Sequence, residues 1–302
     1  MKILITTSSF GKAVSEPLDV CKEKCEVVLN PYGRKLSTEE FIELSSDVDG
    51  VIAGVEAITR DALQQRPNIK VISRCGVGTD SVDIDACKEL GVKVYNTPNA
   101  PVDSVSELTV TVMLDLLKNV SNMNMHLKNG QWNKMSGCML KDKKIGIIGM
   151  GRIGQRVASL VQGFGVEIAY TDIDKKELPY SYMTKEALLE WADIISIHCS
   201  ACEEGRHIIG EEDIRHMKKN AYLVNTSRGK FVDESALYQA LKEHRIQGAA
   251  LDVFAEEPYK GELCNLDNVV LTPHVSSSAK EGRAVMELEA VHNLFKGLGM
   301  ES

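Results

Sequence analysis

The sequence has no basic block. Its 35 Lys and Arg are outnumbered by 43 Asp and Glu, and no cluster among them could neutralise a row of phosphates, which argues against nucleic-acid binding. The eight cysteines, at 21, 25, 75, 87, 138, 199, 202 and 264, lack the dense framework of a small secreted domain, so reduced thiols and a cytoplasmic location are expected. The first apolar stretch, from Met1 to Ile5, meets Thr6, Thr7, Ser8 and Ser9 too early for a signal-peptide core or a membrane span. Low-complexity and disordered classes are set aside as well, because 43% of the residues are hydrophobic and the 23 Gly and 8 Pro are spread along the chain. A globular chain of 302 residues is about twice the usual domain size, and two domains are the first expectation.

What is present is a rhythm: a short β-branched run, a Gly or polar turn, then a helical stretch, repeated many times. Such alternation predicts parallel sheets covered by helices. Strands are expected at 2–7, 50–53, 71–74, 92–95, 144–148, 167–171, 193–197, 221–225, 248–252 and 269–271, enough for two sheets. Helices are expected at 39–44, 84–90, 105–122, 151–163, 184–192, 234–244 and 279–297. Asn96-Thr97-Pro98-Asn99-Ala100-Pro101 is turn-rich and stiffened by two prolines, which marks a hinge. A second break falls at 273–279, and the last helix, with Val285, Met286, Leu288, Val291, Leu294 and Phe295 at helical spacing, is expected to return to the first domain.

One motif meets its structural context. Ile145-Gly146-Ile147-Ile148 is an apolar strand running into Gly149-Met150-Gly151-Arg152-Ile153-Gly154, a G-x-G-x-x-G that opens a helix. Gly149 permits the tight turn, Gly151 lets backbone approach a pyrophosphate, and Gly154 lets helix pack on strand. The helix N-terminus then offers unpaired N–H groups to the phosphates. Asp172, 23 residues after Gly149 and at the end of the next strand, suits the ribose hydroxyls, and its charge should repel the 2′-phosphate of NADP. NAD is therefore the expected cofactor.

Other groupings are less specific. His198-Cys199-Ser200-Ala201-Cys202 contains a C-x-x-C that suits a redox pair or half a zinc site, but no second pair with ligand spacing follows, and no metal is expected. Cys21 and Cys25 are four apart on an expected helix, where packing is the plain reading. In the first half, Arg74-Cys75-Gly76-Val77-Gly78-Thr79-Asp80-Ser81 carries Ser81 in place of a third glycine and should not hold a pyrophosphate. The backbone of Gly76, Val77 and Gly78 could still hold a small carboxylate beside Arg74, or form a purely structural turn.

Three later segments add a resemblance: Asn225-Thr226-Ser227-Arg228-Gly229, the run from Gly248 through Asp252 to Glu257-Pro258, and Leu271-Thr272-Pro273-His274. With the fingerprint, Met217-Lys218 and the 74–83 loop, the chain resembles the D-isomer-specific 2-hydroxyacid dehydrogenases, most closely the phosphoglycerate-dehydrogenase-like branch, over about residues 50–295. That resemblance implies an α/β fold of two doubly wound parallel sheets, a Rossmann NAD domain (99–278) inserted into a flavodoxin-like substrate domain (1–98 plus 279–302). It also implies a homodimer through the NAD domain and an active site in the cleft between domains. Arg228, Glu257 and His274 match the family's catalytic residues, and Arg152, Ile153, Asp172, Thr226 and Asp252 match cofactor positions, to which Cys199 and Ser277 are added as cofactor contacts. The chain departs from relatives at Val275-Ser276-Ser277-Ser278, at Pro101-Val102 and at Ser200.

The implied chemistry suits these residue types. Oxidising a 2-hydroxy acid requires a hydride to leave carbon while a base removes the hydroxyl proton, and His274 fits that role in both directions. Glu257 would orient its imidazole, and Arg228 offers a planar fork for the substrate carboxylate. The carboxylate is expected on Gly76, Val77, Gly78 and Arg228, leaving Arg74 for a distal group. That geometry places 3-phosphoglycerate ahead of glyoxylate or hydroxypyruvate, although Glu56 would repel a phosphate if it faced it. A nicotinamide-sensing, co-repressor-like binding protein is the alternative from another class.

Overall fold

The computed structural model describes residues 1–200 and 206–300. Cys202 of the C-x-x-C lies outside the described residues, as do Glu301 and Ser302. The chain divides into two units, Met1–Pro101 with Ser277–Ser302, and Val102–Ser276. Among the described residues no helix is long and apolar enough to cross a membrane.

The first unit is built on five parallel strands, β1 (Lys2–Ile5), β2 (Glu26–Leu29), β3 (Gly50–Ala53), β4 (Val71–Arg74) and β5 (Lys93–Tyr95), in the order β2-β1-β3-β4-β5. This is the flavodoxin-like winding. Both faces are covered, which is why β3 is buried at every position and reads as an unbroken apolar run. One face packs Leu4, Val51 and Ile72 against Phe41, Leu63 and Ala86. The other packs Ile3, Ile5, Ile52 and Val71 against Met286, Val291 and Leu294 of the last helix, Lys280–Leu298. Each such buried Val, Leu, Ile, Phe or Met side chain contributes about 1.5–3 kcal/mol. The last helix therefore belongs to the core of the first unit despite its place in the chain.

The second unit carries seven parallel strands, β6 (Lys144–Ile148), β7 (Glu167–Thr171), β8 (Ser181–Tyr182), β9 (Ile194–Ile197), β10 (Tyr222–Asn225), β11 (Gly248–Leu251) and β12 (Val269–Leu271). Their order, β12-β11-β10-β9-β6-β7-β8, is the Rossmann order with one further strand beyond β11. The order reverses between β6 and β9, so the fingerprint at the carboxyl end of β6 stands at the topological switch point, where ligands of such sheets bind.

Several expectations are corrected. The single helix expected at 105–122 is two helices, Val102–Lys118 and Val120–Lys128, separated by Asn119 in the left-handed region (φ 55°). Asn tolerates that conformation, and the Asp115 carboxylate accepts from the Ser121 amide (2.8 Å), which directs the chain into its new course. β2 and β8 were not expected: β2 is a four-residue edge strand with exposed ends, and β8 has only two residues. Short helices at Arg60–Gln64 and Glu211–His216 were also missed. Cys25 leaves the helix that holds Cys21, capping it in extended conformation, so the two do not share a helix face.

Candidate active site

The fingerprint loop shows a separate reason for each glycine. Gly149 has φ 92°, and a Cβ there would meet the Cys199 amide nitrogen at 2.4 Å. At Gly154 a Cβ would meet the Gly149 carbonyl oxygen at 2.2 Å, so helix and strand are packed backbone to backbone. Gly151 differs: nothing lies within 4 Å of its missing Cβ. The loop is thus closed on the protein side and open on the other. Gly151 is also the N-cap of the Arg152–Gln162 helix and uses no side chain to satisfy the helix's first amides. An open glycine before unsatisfied helical N–H groups fits the pyrophosphate of NAD. Arg152 is exposed at the first helical position, and Ile153 packs on the core beside it.

Asp172 follows directly on β7. Its Oδ2 accepts from the Met150 amide (2.8 Å) and from Lys176 Nζ (2.7 Å), and its Oδ1 from the Ile173 amide (2.8 Å). Partial burial pushes this carboxyl up, and the Lys176 bond with the two amides more than reverses it, leaving it below its ordinary value. Asp172 is therefore an anion at the edge of the phosphate loop.

A second cluster lies at the carboxyl ends of β10, β11 and β12. His274 Nδ1 is 2.8 Å from Glu257 Oε2, and Glu257 Oε1 accepts from the Phe254 amide (3.1 Å). Asp252, 1% exposed, accepts through Oδ1 from Thr272 Oγ1 (2.6 Å) and the Val275 amide (2.8 Å), and through Oδ2 from the Ser276 amide (2.8 Å). In this structure Asp252, matched by resemblance to a cofactor position, braces the turn that presents His274. Thr226 likewise turns its hydroxyl inward, 2.8 Å from that of Thr109. Arg228 is held by its Nη1 on the Ser227 carbonyl (2.8 Å), and its own carbonyl accepts from Asn225 Nδ2 (2.8 Å). Gly229, which the motif alone leaves without a role, has a structural one: a Cβ there would fall 1.8 Å from the Phe254 carbonyl carbon. Only glycine lets the Arg228 loop lie against the loop that carries Glu257.

His198, at the end of β9, was not expected to matter. Its Nε2 is 2.8 Å from Ser196 Oγ, and burial holds its pKa down at about 3, so it is a neutral imidazole under the fingerprint loop. Cys199 follows it, half-buried against the second unit's core, and Ser277 is half-buried just beyond the second unit.

In the first unit, Arg74 does not extend from its strand. Its Nη1 donates to the Cys75 carbonyl, and the guanidinium lies where a Cβ of Gly76 (φ 147°) would be. The Gly76 amide donates to the Arg74 carbonyl (3.0 Å), so it is already engaged. The Val77 carbonyl takes Asn96 Nδ2 (2.7 Å), while the amides of Val77 and Gly78 have no partner among the described residues. Glu56 is 2% exposed and accepts from Thr6 Oγ1 (2.5 Å) and the Gly54 amide (3.1 Å), so it faces inward.

A cavity of about 510 Å³ in the second unit is lined by Tyr222, Gly248 and Val269, the first residues of β10, β11 and β12. It lies at the amino ends of these strands, whereas the fingerprint stands at the carboxyl end of β6, and it contains none of the expected site residues. Among the described residues no cluster of His, Cys, Asp and Glu could hold a metal ion.

Comparison with known proteins agrees with this geometry. Residues 110–276 match the family model for the D-isomer specific 2-hydroxyacid dehydrogenase, NAD binding domain. A hydroxypyruvate reductase of Thermotoga maritima is 37% identical over 301 residues, covering 95% of this chain and 98% of the relative. A D-3-phosphoglycerate dehydrogenase of Methanocaldococcus jannaschii is 41% identical over 282 residues, covering 89% of this chain but 54% of that longer protein. Among solved structures, the TT0316 protein from Thermus thermophilus superposes with a TM-score of 0.92 at 34% identity, covering 99% of this chain and 97% of that one. The chain belongs to the D-isomer specific 2-hydroxyacid dehydrogenase family. It is an NAD-dependent oxidoreductase.

Proposed function

We propose that the enzyme interconverts a small unphosphorylated D-2-hydroxy acid and its 2-oxo acid, of the size of hydroxypyruvate. The observation that carries this reading is Arg74, whose guanidinium is turned back onto the Cys75 carbonyl and over Gly76 rather than extended toward a distal phosphate. The near-complete match in length to a hydroxypyruvate reductase supports it further. The reading replaces the preference for 3-phosphoglycerate drawn from sequence, which the phosphoglycerate dehydrogenase relative keeps as the second reading.

NAD, when bound, supplies the hydride acceptor, and the chain's own residues do the rest. Glu257 holds His274 by Nδ1, which fixes the tautomer and leaves Nε2 to take the hydroxyl proton or return it. Arg228 pairs with the substrate carboxylate through its planar fork. Asp252 and Gly229 position these two groups, the first by bracing the His274 turn and the second by closing the backbone gap. The test is kcat/KM for hydroxypyruvate against 3-phosphohydroxypyruvate with NADH. No advantage for the phosphorylated acid is expected; an advantage of tenfold or more replaces this reading with the phosphoglycerate one.

The protein also acts as a homodimer through its second unit. Val120 (56% exposed), Met125 (46%), Leu127 (58%), Trp132 (79%) and Met139 (65%) place large apolar side chains in water within twenty residues. Such a concentration marks a contact surface, and a second copy of the chain is the proposed occupant. A cytoplasmic location is part of the same reading, supported by the seven described cysteines being free thiols.

A further inference from the structure

The carboxylate at the end of β7 carries a cation with it. Lys176 Nζ lies 2.7 Å from Asp172 Oδ2 and also donates to the Met150 carbonyl (2.8 Å), so one ammonium ties Asp172 to the middle of the fingerprint loop. Its position is built rather than accidental. The hydroxyl of Tyr170, a fully buried side chain, donates to the Lys176 carbonyl and accepts from the Lys176 amide, both at 2.8 Å. Tyr182 packs edge-on against Tyr170 (ring centroids 5.4 Å apart), and its hydroxyl donates to the Asp172 carbonyl (3.3 Å). The chain between Asp172 and Lys176 is thus pinned at both ends to the same pair of tyrosines.

An acid at this position disfavours a 2′-phosphate because two anions are brought together. Here the acid is half of an ion pair whose Lys176 side chain is 35% exposed, so the cation is reachable from solvent. An ammonium has three donors, and two are used. The third remains for an incoming anion, at a site where the carboxylate is already compensated.

We propose that Lys176 is the specificity-determining residue at the adenosine ribose, and that by neutralising Asp172 and pairing with a 2′-phosphate it lets the enzyme accept NADPH as well as NADH. The inference rests on the assignment of the fingerprint and Asp172 to the dinucleotide. A charge-assisted contact of this kind corresponds to about tenfold or more in affinity.

The experiment is equilibrium binding of NADH and NADPH, by calorimetry, to the wild type, Lys176→Met, Lys176→Gln and Lys176→Arg, each checked for an unchanged thermal midpoint. For the wild type, NADPH is expected within about tenfold of NADH. Lys176→Met should weaken NADPH about tenfold or more while moving NADH less than about threefold, Lys176→Gln, which keeps a donor without charge, should do the same, and Lys176→Arg should restore NADPH. If wild type binds NADH but not NADPH, or if the variants shift both nucleotides equally, the role of Lys176 is overturned while the dinucleotide site stands. If wild type binds neither nucleotide, the reading of the site itself falls.

Discussion

At His274 the backbone sits at φ 53°, the left-handed region that costs a residue with a side chain about 1–2 kcal/mol. The cost is met locally: its amide donates to the Asp252 carbonyl (2.8 Å), and the Asp252 carboxylate holds the two amides that follow. Strain that is over-determined by its surroundings in this way is a mark of functional positions. His274→Ala should lower turnover about 10²–10⁴-fold while NADH binds as in wild type, measured by steady-state kinetics and calorimetry. Turnover within a few-fold of wild type removes His274 from the chemistry. His198 makes a different prediction. Its pKa is held at about 3 against 6.5 in the unfolded chain, so between those values the unfolded state binds a proton that the native state excludes. Stability is full above about pH 6.5 and falls as pH drops below it, by about 2 kcal/mol at pH 5. Chemical unfolding of His198→Gln between pH 7 and 5 should lose correspondingly less, and equal losses in both proteins would count against it. The strained backbone of His274 and the burial of His198 were not legible beforehand, because strain and burial are properties of the surroundings and not of the residue.

The helices beginning at Val102 and Val120 show where element boundaries escaped the sequence. Apolar periodicity runs across residue 119 with no Pro or Gly to interrupt it, so pattern alone predicts one helix. The break is made by Asn119 in left-handed conformation and by the Asp115 carboxylate accepting the Ser121 amide. Asn119→Val should destabilise by about 1–2 kcal/mol, seen as a lower thermal midpoint, whereas Asn119→Gly should be close to neutral. An equal effect of the two would show that the backbone conformation is not what Asn119 supplies. Central strands were read more accurately than edge strands for a related reason. β6 is buried almost throughout and must be apolar, whereas β2, at an edge, keeps Glu26 and Leu29 exposed and carries no such signature.

For the whole molecule the prediction concerns the proposed dimer. Trp132 is 79% exposed and makes no contribution to the core, so Trp132→Glu should leave the fold intact and shift the mass in solution from twice 33.3 kDa toward the single chain. Sedimentation or light scattering at micromolar concentration decides it: a wild type that runs as a monomer ends the dimer proposal.

What the sequence determined by itself is local. A run of β-branched residues ending in spaced glycines, with an acid 23 positions past Gly149, is a signal contained in one strand-helix-strand unit, and the α/β class and the nucleotide follow from it. The motif segments around Arg228, Glu257 and His274 were legible only through resemblance, since spacing does not state that Glu257 and His274 approach to 2.8 Å. The tertiary structure alone decided which polar groups are already spent. It turned Arg74 onto Cys75, set Asp252 to bracing a turn, pressed Gly229 against Phe254 and brought Lys176 to Met150, 26 residues away in sequence. Each of these depends on a rotamer or a close approach fixed by packing between segments distant in the chain, and no one-dimensional pattern carries that information.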